Sequence, residues 1–379
     1  MRALNDAVQR LTCLLVVLVA AVSSAHADTT TERSSSILIF PKVVFDDTRD
    51  TFVQISNTSN SMAYAHCFYV NAVPFCTGTG DCLADTCTGQ CLPQWQEVDF
   101  QIWLTKQQPT SWAAGLGRLA YPADGGCRTD FRFPERSVAD CYGSGLDPGR
   151  VPPVSFPFEG ELKCIETDPS GAPISGNHLK GEATIVRHDG DSSKYNAVGV
   201  IGLPDSNDGD NTLCLGGGIA DGCPNGAEYN GCPDTLLINH FAAGADDPLF
   251  GSASTVESEL TLVPCAENFE TQAPASVVVQ FKMTNEFEQD FSASTTVDCW
   301  GNFFLEDINP VFGVTPLGSR MVYTRAHPVT VSGLVGVIEE YHSVDDVTAH
   351  TALNLHQEGE RATTDYIVLQ GDIVGSHGP

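Results

Sequence analysis

Polarity in this chain alternates residue by residue, and that period is the strongest constraint on its fold. In "VDFQIWLT", Val98, Phe100, Ile102 and Leu104 fall on one side and Asp99, Gln101 and Thr105 on the other. In "SVVVQFKMT", Val277, Val279, Phe281 and Met283 alternate with Gln280, Lys282 and Thr284 in the same way. An extended strand points successive side chains to opposite faces, so each segment reads as a strand with one dry and one wet face. Clusters such as "DPSGAP" and "DSNDGDN" supply turns between such runs, and long amphipathic helices are not evident. The expected class is all-β, as two tandem immunoglobulin-like β-sandwiches with disulfide-stapled loops. Facing sheets would bury Val53, Ile55, Phe100, Ile102, Val279, Phe281, Val335 and Leu353.

The tandem reading rests on an internal echo. "ILIFPKV … TFVQISN … AHCFY" is matched by "LTLVPCA … SVVVQFKMTN … TVDCW", and "GELKCIE", "NHLKGEATIV" and "KYNAVGVIG" by "GLVGVIEE", "TAHTALNLH" and "DYIVLQGD". Val53 to Val279 is 226 positions and Cys67 to Cys299 is 232, whereas Glu166 to Glu339 is 173 and Tyr195 to Tyr366 is 171. Two offsets, each nearly constant, imply one module present twice, with the middle of the first copy expanded. The expected division is a signal peptide at 1–27, a first sandwich with Cys-rich insertions at 28–204, a Gly/Asp/Cys-rich junction at 205–255 and a second sandwich at 256–379. Within the junction, "DTLLINHF" reads as a small ordered piece.

The N-terminus predicts export. Arg2 and Arg10 precede the twelve-residue apolar run "LTCLLVVLVAAV", and Ala25 and Ala27 stand at the small-residue positions of a cleavage site. Twelve residues are too few to span a bilayer, and no later segment is apolar enough, so a monomeric exported chain without a transmembrane segment is expected.

Thiols outside the cytoplasm oxidise. Cys76, Cys82, Cys87 and Cys91, separated by five, four and three residues, are therefore expected to form two local disulfides. Cys127 is expected to pair with Cys141 in the loop from Gly125 to Pro153, and Cys265 with Cys299. Loss of Cys13 with the leader leaves an odd number, with the unpaired thiol expected among Cys214, Cys223 and Cys232.

Forty-eight acids against nineteen Lys and Arg give a formal charge of −29. That balance repels polyanions and excludes nucleic acid as a partner. No nucleophile elbow, zinc-protease helix, phosphate loop or dinucleotide loop occurs in the sequence. "DSNDGDNT" is the candidate metal site. Asp205, Asn207, Asp208 and Asp210 offer oxygen ligands suited to calcium, although Gly216 stands where an EF-hand places its bidentate Glu. His327, His342, His350 and His356 gather late in the chain, and the last two are expected on a solvated strand face. Trp95 and Trp112, near the cysteine loops, are candidates either for core packing or for stacking on a ligand.

The segments "ILIFPKV", "FVQISNTSN", "HCFYVNA", "GNHLKGEATIV" and "NEFEQDFSAS" resemble those of a group of exported proteins from environmental bacteria with no named activity. The resemblance implies export and a β-rich fold, and no catalytic or binding residue. The functional expectation is an exported structural or binding protein whose partner is a protein or glycan. The alternatives are an extracellular hydrolase with a site assembled only in three dimensions, or a carbohydrate-binding protein.

Overall fold

The computed structural model describes residues 29–78, 82, 86–118, 148–217, 223–248, 250–273, 275–329, 332–344, 347–361 and 364–370. The first half of the chain supplies eleven strands: β1 (Ile37–Phe45), β2 (Arg49–Asn57), β3 (Ala63–Asn71), β4 (Phe75–Cys76), β5 (Cys91–Leu92), β6 (Gln96–Leu104), β7 (Pro109–Ala113), β8 (Phe158–Thr167), β9 (Leu179–Arg187), β10 (Ser192–Asn196) and β11 (Val198–Val200). One run of pairings is β6-β3-β8-β1, with β11 beside the start of β1, and another is β7 and β9 flanking β2, with β10 outside β9. The two runs are joined at the β1–β2 turn, where Phe45 pairs with Asp50, and just before β1, where Ser35 bridges Leu179 of β9. Val53 and Ile55 from one run pack with Phe100, Ile102 and Leu162 from the other in a single apolar core.

β1 and β2 show how pattern follows burial. β2 alternates because only one of its faces is covered. The sequence of β1, "ILIFPKVVF", is apolar almost throughout, as strands covered on both faces are. Leu38 and Phe40 enter the core just described, while Ile37 and Ile39 face the opposite way into another cluster.

The second half contributes β12 (Thr212–Leu215), β13 (Pro233–Phe241), β14 (Ala245–Asp247), β15 (Gly251–Pro264), β16 (Glu267–Asn268), β17 (Ser276–Asn285), β18 (Asp290–Asp298), β19 (Gly301–Phe304), β20 (Met321–Pro328), β21 (Leu334–Val344), β22 (Val347–Asn354), β23 (His356–Glu360) and β24 (Asp365–Val368). Two one-turn helices, α1 (Leu305–Ile308) and α2 (Val314–Leu317), lie between β19 and β20. The strands form a sheet β18-β17-β20-β13-β23, a sheet β14-β15-β21-β22 with β19 beside β15, and a short sheet β12-β24-β16. Val279 and Phe281 of the first of these meet Leu260, Leu262 and Ile338 of the second in a separate core. A third cluster joins the halves: Ile37, Phe68 and Ile165 pack on Tyr229, Val263, Phe269 and Val335, and the rings of Phe68 and Phe269 stack at 4.2 Å. The molecule is all-β, built from several sheets and braced by disulfides.

Several expectations change here. The stretch 205–255 does more than connect: β12 pairs with β24, and β13, which contains "DTLLINHF", lies between β20 and β23. Leu353 is 46 % exposed while its neighbour Ala352 is buried, so β22 presents the opposite face from the one its apolar residues suggested. The long β1–β8 pairing has a counterpart in β15–β21, but β2–β9 has none, because β17 pairs with β18 and β20 and β22 pairs with β21.

Cys76 bonds Cys87 and Cys82 bonds Cys91. Cys67 and Cys164, directly opposite on β3 and β8, form a cross-strand bond. Cys214 bonds Cys223. The expected Cys265–Cys299 bridge is corrected, since Cys265 bonds Cys232, and Cys299 is the one free thiol among the described residues and is buried. Cys299 sits at φ 54°, its N–H donates to Ala275 O, and its sulfur accepts Ala275 N–H at 3.1 Å, which ties it to the residue just before β17. The odd thiol is therefore not among Cys214, Cys223 and Cys232. Cys127 and Cys141 lie outside the described residues, as do Cys13 and the leader.

Candidate functional site

Among the described residues, three groups of charged side chains bear on the choice of site. The first begins at a bulge. Register along β1 and β8 shifts between Phe40 and Val43, at Pro41 and Lys42. Proline has no N–H to give the ladder, so a bulge suits it. Tyr195 replaces the lost partners, donating its hydroxyl to Lys42 O at 2.5 Å and accepting Lys42 N–H at 3.2 Å. Trp300 Nε1 donates to Pro41 O at 2.8 Å.

The Lys42 side chain, 0 % exposed, enters the second half and pairs with Glu259 and with Glu339, the latter at 2.5 Å. Asn302 and Tyr341 each donate to Glu259 at 2.6 Å, and Ser193 donates to Glu339 at 2.6 Å. Burial pushes the Glu259 carboxyl up, but Lys42 and these donors outweigh it and hold it below the ordinary range. The one ammonium is shared by two carboxylates, and neutral donors satisfy their other oxygens. This centre locks the halves together.

The second centre is Lys163 on β8, held by Glu161 at 2.9 Å and by Glu267. Burial and the adjacent Glu267 drive the Glu161 carboxyl well up, and one of its oxygens is buried without a hydrogen-bond partner. Beside it Glu97, Trp95, Gln272 and Cys299 line a narrow crevice that Glu267 also borders. A cavity of about 230 Å³ adjoins, sharing Glu267, Asn268 and Ala273 and reaching Asp365. Glu97 is pushed up to about 8, first by burial and then by Asp99 and Glu267. Burial likewise raises the Cys299 thiol to about 12, so it stays protonated and a poor nucleophile.

The third place is the outer face of β7, β2 and β9. Because Val53 and Ile55 point inward, Gln54 and Ser56 point out, as do Ser111 on β7 and Lys180 and Glu182 on β9. These side chains, with Thr58, Pro109, Thr110 and Gly181, line an open groove of about 440 Å³. Glu182 pairs with exposed Lys194 of β10 at 2.6 Å. Phe52, partly exposed, follows one pleat along the same face, between Ala113 and Thr184. Amides, hydroxyls and a solvated ion pair line this surface beside one aromatic ring.

The residues singled out in the sequence fall elsewhere. Asp208 accepts Asp210 N–H at 3.1 Å and the Asn225 amide at 2.8 Å, while Asp210 accepts Thr212 N–H at 2.6 Å and Asn207 accepts Gly209 N–H at 2.8 Å. Of the expected calcium residues, Asn207, Asp208 and Asp210 thus cap the backbone of their own turn, and Asp205 stands at φ 57° beside them. Among the described residues, the only group that brings three metal-capable atoms within 4.8 Å of one another is Cys82, Cys87 and Cys91. Trp112 is core, donating to Tyr69 at 2.6 Å, and Trp95 borders the crevice. His350 is not on a solvated face: its ring is inward, 2.5 Å from Asp191 and edge-on to Tyr341. His356 is exposed, and His327 and His342 are partly so.

Lys42 and Lys163 were missed, although each had a signal. A lysine inside an apolar strand such as "ILIFPKVVF" has no water to reach and requires a buried partner. The groove had none, since its residues are ordinary polar strand positions. No helix among the described residues is long and apolar enough to cross a membrane. Comparison with protein-family models and with curated proteins finds no match for the chain.

Proposed function

We propose that the chain is an exported binding protein that holds a polar, polyhydroxylated ligand such as a glycan segment in the β7-β2-β9 groove. We read its architecture as two sandwich-like modules, the first of which carries that groove. The open groove of about 440 Å³ is the observation that carries this reading. Its size falls within the usual range for small-molecule sites. Its walls stand on paired strands, so little order is lost when a ligand binds. Gln54 and Ser111 offer donors and acceptors suited to sugar hydroxyls, Glu182 offers a charged acceptor, and Phe52 lies beyond the groove on the same face.

A glycan- and protein-array screen tests the idea. Gln54→Ala should weaken binding of the best glycan about threefold to tenfold and Glu182→Ala about tenfold or more, because a neutral hydrogen bond contributes ~0.5–1.5 kcal/mol and one to a charged group ~1.5–3 kcal/mol. Binding that both variants retain, or hits confined to proteins, would refute it.

A second reading has its own observation. The Glu97 carboxyl, held protonated near neutral pH beside Glu267, is what a hydrolase uses as a general acid. Turnover in a broad hydrolase panel that disappears in Glu97→Gln would favour it. The groove is preferred because the crevice is narrow and Lys163 already occupies Glu267.

A further inference from the structure

The two disulfides of the 76–91 loop lie against each other in a way that suits a second chemistry. β4 and β5 place Cys76 directly opposite Cys91, yet these two are not bonded. Each is bonded instead to an inner cysteine, Cys76 to Cys87 and Cys91 to Cys82. The bonds therefore cross, and the sulfurs of Cys82, Cys87 and Cys91 all lie within 4.8 Å of one another, with Cys76 bonded to one of them. Four thiolates around a zinc ion, at about 2.3 Å each, stand about 3.8 Å apart. Three of the sulfurs thus already lie within reach of one such ion, and the fourth is bonded to one of them.

The cage is also held by contacts other than sulfur. Thr77 N–H donates to Gln90 O at 3.0 Å, and Gln90 N–H donates to Thr77 Oγ1 at 2.9 Å. Gly78 and Gly89 cross so closely that a Cβ on Gly89 would come 2.5 Å from Gly78 N. Both arms of the loop are thus joined by contacts besides the sulfur bonds. The loop is also the more accessible: Cys91 is exposed and Cys82 and Cys87 partly so, whereas Cys67, Cys164, Cys223, Cys232 and Cys265 are all 0 % exposed.

We propose that Cys76, Cys82, Cys87 and Cys91 form a redox-gated site for one thiophilic d¹⁰ cation such as Zn²⁺. A dithiol reductant opens the gate. Two dithiols each give two electrons and two protons to one S–S bond, become cyclic disulfides themselves, and leave four protein thiols. These release four protons as they bind one Zn²⁺ through four Zn–S bonds, giving a site of net charge −2. Oxidation and metal binding exclude each other, so zinc must shift the disulfide equilibrium toward the thiols.

The test uses the mature chain, titrated with dithiothreitol with and without Zn²⁺. Peptide mapping reports which disulfides have opened, and native mass spectrometry reports bound metal. The site predicts that the loop bonds open first, that one zinc is retained with four protons lost, and that zinc shields these four cysteines from alkylation. It also predicts that zinc lowers the dithiothreitol needed for half-opening about tenfold or more. Cys82→Ser should weaken zinc retention about tenfold or more, and Cys82→Ser/Cys91→Ser should abolish it. The proposal is overturned if opened loop thiols retain no zinc, if the double variant retains it undiminished, or if the buried disulfides open first.

Discussion

The Lys42 centre and the β7-β2-β9 groove are made from the same kinds of residue and do opposite things. At Lys42, one ammonium and two carboxylates are sealed between the halves, and tyrosine, asparagine and serine satisfy what remains. In the groove, Lys180 and Glu182 lie on a surface that water reaches, Glu182 pairing with neighbouring Lys194 and Lys180 donating to Glu32 O at 3.0 Å. The difference teaches where to look for function. A buried polar group whose partners are already in place is structure, while a polar group held rigidly with capacity to spare can take a ligand.

Breaking each site should separate the two roles. Lys42→Met would leave Glu259 and Glu339 buried and uncompensated, and the expected loss is about 3–5 kcal/mol in chemical denaturation. Lys180→Met, the same change in the groove, should shift stability by no more than about 0.5 kcal/mol. Equal effects would remove the distinction.

The groove floor gives the next largest effect. Gly181 is part of the groove, but a Cβ there would point inward and come 2.5 Å from the ring of Phe40. Gly181→Ala should therefore cost about 1–3 kcal/mol by overpacking, measured by urea denaturation. A neutral outcome would mean that the floor yields and that the groove is less rigid than the binding argument needs.

The crevice at Glu97 lies between the two extremes, and pH sharpens its place. Its folded carboxyl titrates at about 8 against an ordinary 4.5, so between these values the folded chain keeps a proton that the unfolded chain has released. Stability from this group must then fall as pH rises from 4.5 towards 8 and level off above. Glu97→Gln removes that fall, so the difference in urea midpoint between variant and parent should grow with pH across this window. A difference that does not vary with pH would show that Glu97 is ionised throughout.

How much of this was legible in the sequence depended on which physical quantity each feature expresses. Alternation exposed the strands because it reflects burial of one face, and Val53, Ile55, Phe100, Ile102, Val279, Phe281 and Val335 are all buried. It failed at β22, where small Ala352 and hydrogen-bonded His350 take the inner face and Leu353 the outer. Hydrophobicity cannot anticipate an inward histidine whose ring finds Asp191. Strand partners were not legible, since pairing joins residues far apart in the chain, as Cys67 with Cys164 and Cys232 with Cys265. The groove was least legible of all. Gln54, Ser56 and Ser111 become a site only because β7 and β9 flank β2.

The smallest expected change in stability accompanies the most decisive change in binding. Ser56→Trp places an indole in the groove from a partly exposed position, away from the core. Calorimetric titration of the best array glycan into the parent and into this variant is the most direct test of the central claim. The account predicts saturable heat for the parent and none for Ser56→Trp, with the thermal midpoint unchanged. Undiminished heat from the variant would contradict it and move the search to the Glu97 crevice.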